Sequence, residues 1–148
     1  MIFADSDIFV IDLRYQRDLK YSENRQFLDH VIKENLITTS IFNILEVCGI
    51  LSFNLNEQQL LDLYYHFPHK YNLQGAAHLG QADTLPSFRL SSIIEVMSSK
   101  ASLGDTMIIC SVLEKIHQID FFISWNANHF AGKISKPTLT PAEYLKRF

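Results

Sequence analysis

Apolar residues fall in short blocks along this chain, some continuous and some striped at helical spacing. Met1 to Asp5 is a brief apolar run that stops at Asp5, and apolar positions resume at Ile8, Phe9, Val10 and Ile11. This predicts a buried strand followed by a helix from Ile8 to Leu13, capped by Asp5, Ser6 or Asp7. Ser22 to Asn35 predicts a helix with Ser22 as N-cap and Phe27, Leu28, Val31 and Ile32 on one face. LITTS, residues 36–40, carries a brief strand ending in hydroxyls, and SIFNILEVCGILSF is apolar almost all round, as a buried helix is. NEQQLLDLYYHF is an amphipathic helix opened by Asn56, whereas Pro68 to Pro86 is rich in Gly, His and Gln, has no period, and reads as a lid or specificity loop. Leu90 to Ser99 and Asp105 to His117 are helical patterns separated by the break SKASLGD. IDFFIS reads as a central strand, WNANHF as a loop or helix start, and KPTLTPAEYL as a last strand running into a terminal helix.

Short apolar strands alternating with helices predict an α/β domain with a mainly parallel sheet and helices on both faces. In such a sheet the binding crevice lies beyond the carboxyl ends of the strands. At 148 residues the chain is expected to be one domain, residues 1–148. No run approaches the ~18 uncharged apolar residues of a membrane span. The N-terminal stretch lacks a basic region and a small-residue cleavage site, and Cys48 and Cys110 sit inside apolar helical patterns without CxxC spacing. These features predict a cytoplasmic protein whose cysteines are buried small hydrophobes, not zinc ligands.

The formal net charge is −3, so no chain-wide basic field draws this domain to a polyanion. Contact with nucleic acid would have to be local. The densest basic stretch is RYQRDLKYSENR, in which Arg14, Arg17, Lys20 and Arg25 are interleaved with Tyr15 and Tyr21. That mixture suits phosphates and base stacking, and equally a solvated loop and helix start.

Polar groups recur where strands end: Asp5 after the first, Ser40 after the second, and Ser124 to Asn126 after IDFFIS. Glu46 lies between Leu45 and Val47 in a helix with hardly any polar face, where a carboxylate is expected to be neutral, paired or metal-bound. Asp105 opens the helix after Gly104, a position that also suits a simple N-cap. Brought to one crevice, Asp5, Glu46 and Asp105 would repel one another, and a hard divalent cation relieves that repulsion. Oxygen ligands favour Mg²⁺ or Mn²⁺, whose chemistry suits phosphodiester hydrolysis.

IFADSDIFVI, TTSIFNILEVCGIL, GDTMIICSVLE, FFISWNANHF and PTLTPAEYL, in this order, resemble the conserved elements of the PIN-domain nucleases, particularly the VapC-like toxins of toxin–antitoxin pairs. The resemblance spans nearly the whole chain and implies a PIN-like three-layer α/β/α sandwich. It implies an Mg²⁺- or Mn²⁺-dependent endoribonuclease, with Asp5, Glu46 and Asp105 as metal ligands and Asn126 at the fourth catalytic position. Asp7 and Ser124 would support the site, the hydroxyl of Ser124 orienting a water, and Arg14, Arg17 and Lys20 would bind the RNA. The implied partners are an RNA substrate, a small antitoxin protein and a second copy of the chain. Many family members carry Asp where this chain has Asn126, and an amide contributes no charge. A catalytically quiet, protein- or RNA-binding module is therefore the alternative. FADSD and GDT also resemble a haloacid-dehalogenase-like phosphatase, but the second acid expected after GD is missing. Trp125 is expected to pack and His129 to hydrogen-bond structurally.

Overall fold

In the computed structural model, which describes residues 1–75 and 83–148, the short strands pair into one sheet in the order β2-β1-β3-β4, and every pairing is parallel. The strands are β1 (Ile2–Ala4), β2 (Ile37–Thr38), β3 (Phe121–Ile123) and β4 (Thr138–Leu139). The helices are α1 (Ser6–Arg14), α2 (Tyr21–Lys33), α3 (Ile41–Leu51), α4 (Glu57–Lys70), α5 (Leu90–Ser98), α6 (Leu103–Glu114), α7 (Ala127–Phe130) and α8 (Pro141–Leu145). The α/β class and the parallel sheet agree with the sequence pattern, and the arrangement is compatible with three layers.

Alternation of side chains along a strand sorts the core into two parts. Ile2 and Ala4 of β1 and Ile123 of β3 join Ile8, Phe9, Phe27, Ile44, Phe67 and Tyr144 on one face of the sheet. Phe3 and Phe122 point the other way, to Ile108, Ile109 and Val112 of α6 and Phe130 of α7. The register pairs Phe3 with Phe122, and their rings stack at 5.5 Å.

Caps and packing place the helix ends. Asp5 caps α1 by accepting from the Ser6 N–H, and Asn56 opens α4 in a reciprocal capping box with Gln59. The helix expected to begin after Ser22 starts at Tyr21 instead, with Lys20 as an N-cap that makes no side-chain bond. Asp105 is not the N-cap of α6: Ser102 is, and its hydroxyl accepts from the Asp105 N–H, so the helix starts earlier than the apolar pattern suggests. S-x-x-D at 102–105 carries that signal. Pro68 does not end α4, which runs on to Lys70. The reason is tertiary: Phe67 and Tyr71 are buried against Phe9, with ring centroids 5.0 and 4.7 Å away, and that packing outweighs the local preference for a break. The expected loop from Pro68 to Pro86 is accordingly helix and core at its start. Leu73 is buried and the Gln74 N–H donates to the Ile37 carbonyl, while residues 76–82 of that stretch lie outside the described residues.

α1, α2 and the end of α4 are also joined by a charge. Asp12, which falls beyond the start of α1 and so outside the acidic set expected at the crevice, is buried and accepts from Arg25 Nη1 at 2.9 Å and from the Tyr71 hydroxyl at 2.9 Å. Burial, and then the Asp12 charge, push the Tyr71 hydroxyl up, which keeps it a donor. Arg25 also pairs with Asp29, so it is committed to the fold and is withdrawn from the basic stretch as a phosphate ligand. Arg25→Met leaves a buried carboxylate without its cation. The variant is expected to lose about 3 kcal/mol, the low end for a broken buried pair because Arg25 is partly exposed. Urea unfolding checks this, with a lower midpoint and an unchanged slope.

Candidate active-site cleft

The loops leaving β1 and β3 diverge. After β1 the chain turns into α1, whose Ile8 and Phe9 pack on one face, and after β3 it turns into α7, whose Phe130 packs on the other. Adjacent parallel strands whose continuations part in this way leave a crevice at their carboxyl ends. The crevice is a cavity of about 290 Å³ lined by Asp5, Asp7, Glu46, Asp105 and Asn126, with Val10, Ile50 and Phe130 supplying apolar wall. Five positions picked from separate stretches of sequence are thus brought together.

Asp5 sits at the bottom, 7 % exposed. Its main-chain N–H still belongs to the sheet, donating to the Ile123 carbonyl at 2.9 Å. Its Oδ1 accepts from the Ser6 N–H at 2.8 Å and from Asn43 Nδ2 at 3.1 Å. Burial, and then the neighbouring Asp7 charge, push its carboxyl up to about 8. Asp7 lies beside it, with Oδ2 accepting from the Ser124 hydroxyl at 3.0 Å and from the Asn126 N–H at 3.3 Å. Burial pushes Asp7 up to about 6 against those hydrogen bonds. Its Oδ1 is buried and has no hydrogen-bond partner, although buried polar atoms are nearly always paired.

The other sequence-predicted residues take different places. Glu46 is exposed, which overturns the expectation of a buried carboxylate. Ile41, Ile44, Val47, Cys48 and Leu51 form the buried stripe of α3, so Leu45 and Glu46 fall on its other side and Glu46 stands on the rim of the cleft. Asp105 reaches the cleft from α6, and its Oδ2 faces Ser102 Oγ and His129 Nε2. Asn126 is exposed and holds Asp7 through its main-chain N–H. Ser124, fully buried, lies beneath. Cys48 and Cys110 are buried free thiols, as expected.

The basic residues separate. Arg14 donates to the carbonyl of Ile50, a wall residue of the cleft, at 3.3 Å and lies over the Tyr15 ring. Lys20 sits 5.3 Å above the Trp125 ring, close enough for its charge to act on Asp7. Arg17 shares with Arg14 a surface hollow that runs from Leu13 to Asp18 and does not include the acids of the cleft. Trp125 packs, as expected, and its Nε1 donates to buried Asn24, whose Nδ2 donates to the Ile8 carbonyl.

Asn43 is the site residue that sequence reasoning missed. It is fully buried, its Nδ2 bridges Asp5 Oδ1 and Ser6 Oγ, and its Oδ1 accepts from the Ser40 hydroxyl at 2.6 Å. The available signal was S-x-x-N at 40–43, a capping pattern with an amide in an otherwise apolar turn. A larger cavity of about 600 Å³ lies along α5, lined among others by Arg89, Glu95, Glu114 and Lys133. Its lining mixes both signs of charge and includes none of the strand-end acids, so size alone does not locate the chemistry.

Among the described residues no three His, Cys, Asp or Glu side chains already close around a point as a finished metal cage. The donor set nevertheless suits a hard cation that keeps much of its water: two adjacent buried carboxyls, one with an unpartnered oxygen, and two further acids on the rim. Comparison with protein-family models, curated proteins and solved structures returns no match to this chain.

The buried acids set a pH dependence. In the unfolded chain these carboxyls ionise near 3.8, whereas in the folded protein they hold their protons to about 6 and about 8. Their contribution to stability is therefore complete below about pH 4 and is lost as pH rises from there through the folded values. In metal-free buffer the stability advantage of Asp5→Asn over wild type is expected to grow between pH 5 and pH 8, by at most roughly 1.4 kcal/mol for each pH unit. Urea midpoints across that range measure it, and a constant difference refutes the assignment.

Proposed function

We propose that this chain is a divalent-metal-dependent endoribonuclease of the PIN type, acting as the toxin of a toxin–antitoxin pair. The observation that carries the reading is the β1–β3 crevice, where Asp7 keeps a buried oxygen without a partner beside Asp5, and Glu46, Asp105 and Asn126 line the same cavity. A fold gains no stability from such crowding, so its persistence is better explained by a cation.

Asp5 would hold Mg²⁺ or Mn²⁺ directly, with Glu46 and Asp105 completing the set from the rim, directly or through water. When bound, the cation supplies Lewis-acid stabilisation of charge on the phosphoryl oxygens. Asp7 and Ser124 keep the turn after β3 against the turn after β1, through the Ser124 hydroxyl and the Asn126 N–H. The Asn126 side chain adds an amide and no charge to the fourth position. Arg14 and Lys20 stand beside the cleft, where they would take the phosphates flanking the scissile bond, and Arg17 would extend that path outward. RNA as the substrate, the antitoxin partner and a homodimer come from the resemblance. Exposed Leu45, Phe53 and Tyr65 offer apolar surface for such partners. No helix of the described residues is long and apolar enough to cross a membrane.

The test is cleavage of total RNA by the purified protein with Mn²⁺, with the ends mapped. Asp5→Asn combined with Asp105→Asn is expected to lower the rate at least ~100-fold, since metal-based charge stabilisation is worth several kcal/mol. Metal at about 100 times its dissociation constant is expected to add about 2.7 kcal/mol to wild-type stability and none to the double variant. Intact RNA together with metal-independent melting favours the catalytically quiet reading that Asn126 suggests.

A further inference from the structure

Asp105 enters the cleft from α6, but its carboxylate is gripped from outside it. Oδ2 faces both Ser102 Oγ at 2.9 Å and His129 Nε2 at 3.0 Å, and neither contact involves Oδ1. The two partners differ in what they can enforce. Ser102 is the N-cap of the same helix, and its hydroxyl rotates to suit whatever faces it. His129 belongs to α7, which packs on the same face of the sheet as α6, and presents a rigid ring. The residue is anchored through its main chain and by one ring contact. The His129 N–H donates to the Asn126 carbonyl at 2.9 Å, its carbonyl accepts from Lys133 Nζ at 2.6 Å, and its ring meets Phe130 edge-on at 5.3 Å. The side chains of Asp105 and His129 are 28 % and 34 % exposed, so the pair sits at the mouth rather than in bulk water. Glu46, on the same rim, has no hydrogen-bonded partner for its side chain among the described residues. Of the two rim acids, only Asp105 is oriented.

We propose that His129 is a positioning residue for Asp105: its Nε2–H holds Oδ2 and thereby directs Oδ1 into the cleft, presenting one carboxylate oxygen to the cation in a fixed direction. This rests on the metal-dependent reading of the cleft. Nε2 must carry the ring proton for an ionised carboxylate to accept it, so the contact specifies the tautomer. Partners that orient a ligating carboxylate from behind change metal affinity by about 10- to 100-fold when removed. His129 also ties α7 to α6, and through Asn126 to Asp7, so the two walls of the crevice share one hydrogen-bond path.

Two measurements decide it. Calorimetric titration of Mn²⁺ into wild type, His129→Ala and His129→Gln is expected to give an affinity about 10- to 100-fold weaker for the alanine variant. The glutamine variant, whose terminal amide donates from nearly the same place, is expected to recover to within about threefold of wild type. Saturating Mn²⁺ should then restore the kcat of His129→Ala, which separates lost metal from lost chemistry. Unchanged Mn²⁺ affinity in His129→Ala, against normal wild-type binding, overturns the positioning role alone. Wild-type protein that binds no Mn²⁺ overturns the cleft reading and this role with it. Independently of any metal, ring ¹⁵N spectra of the metal-free wild type should show His129 as the Nε2–H tautomer. An Nδ1–H tautomer overturns the proposal.

Discussion

The fold depends on pairing the short strand β1 on both sides. Ile2 and Phe3 lie against Ile37 and Thr38 of β2, and Ile2, Phe3 and Ala4 lie against Phe121, Phe122 and Ile123 of β3. All three β1 side chains are buried, and they alternate between two different cores. A slip of one residue would send Phe3 into the core that receives Ile2 and Ala4, so the register is strongly specified. With the register set, Asp5 has one place to be. Its N–H closes the ladder onto Ile123, and its side chain emerges where α1 leaves for one face and the chain after β3 leaves for the other.

The cleft is where this molecule accepts unfavourable electrostatics. Burial raises both the Asp5 and Asp7 carboxyls, and the neighbouring Asp7 charge raises Asp5 further. What holds them there is a set of well-made bonds behind them. Asn43 bridges Asp5 and Ser6, Ser40 completes Asn43, and Ser124 supports Asp7. Each of those supporting side chains is buried, and each has its polar atoms engaged by the acids, by one another or, for Ser124, also by the Asn126 N–H. Crowded functional groups held by an otherwise satisfied frame are characteristic of sites that have a task besides stability. Around the acids the charge changes sign, with Arg14 tied to the Ile50 wall and Lys20 lying over Trp125. An acidic floor with a basic edge suits a cation and a phosphate chain together.

Several features of the site and fold were legible in the sequence because they rest on local rules. Asp5 follows an apolar run and caps a helix, both short-range properties. Asn56 and Thr140 open helices by reciprocal capping, again within four residues. Glu46 shows the limit. Its neighbours are apolar, and only the spacing of Ile44, Val47, Cys48 and Leu51 tells that it faces outward. The roles of Asn43 and Asp12 were hidden for a different reason. Their partners, Asp5 and Ser6 for one and Arg25 and Tyr71 for the other, are remote in sequence, and a buried polar residue is recognisable only with its partner in view.

The sequence by itself determined the order of strands and helices, the parallel α/β class and the identity of the acids that end at the crevice. These follow from periodicity and capping, which act over a few residues. The tertiary structure alone decided that Arg25 serves the fold, that α4 passes through Pro68, and that His129 faces Asp105. Each is a contact between elements, whose energy depends on distances that chain order does not encode.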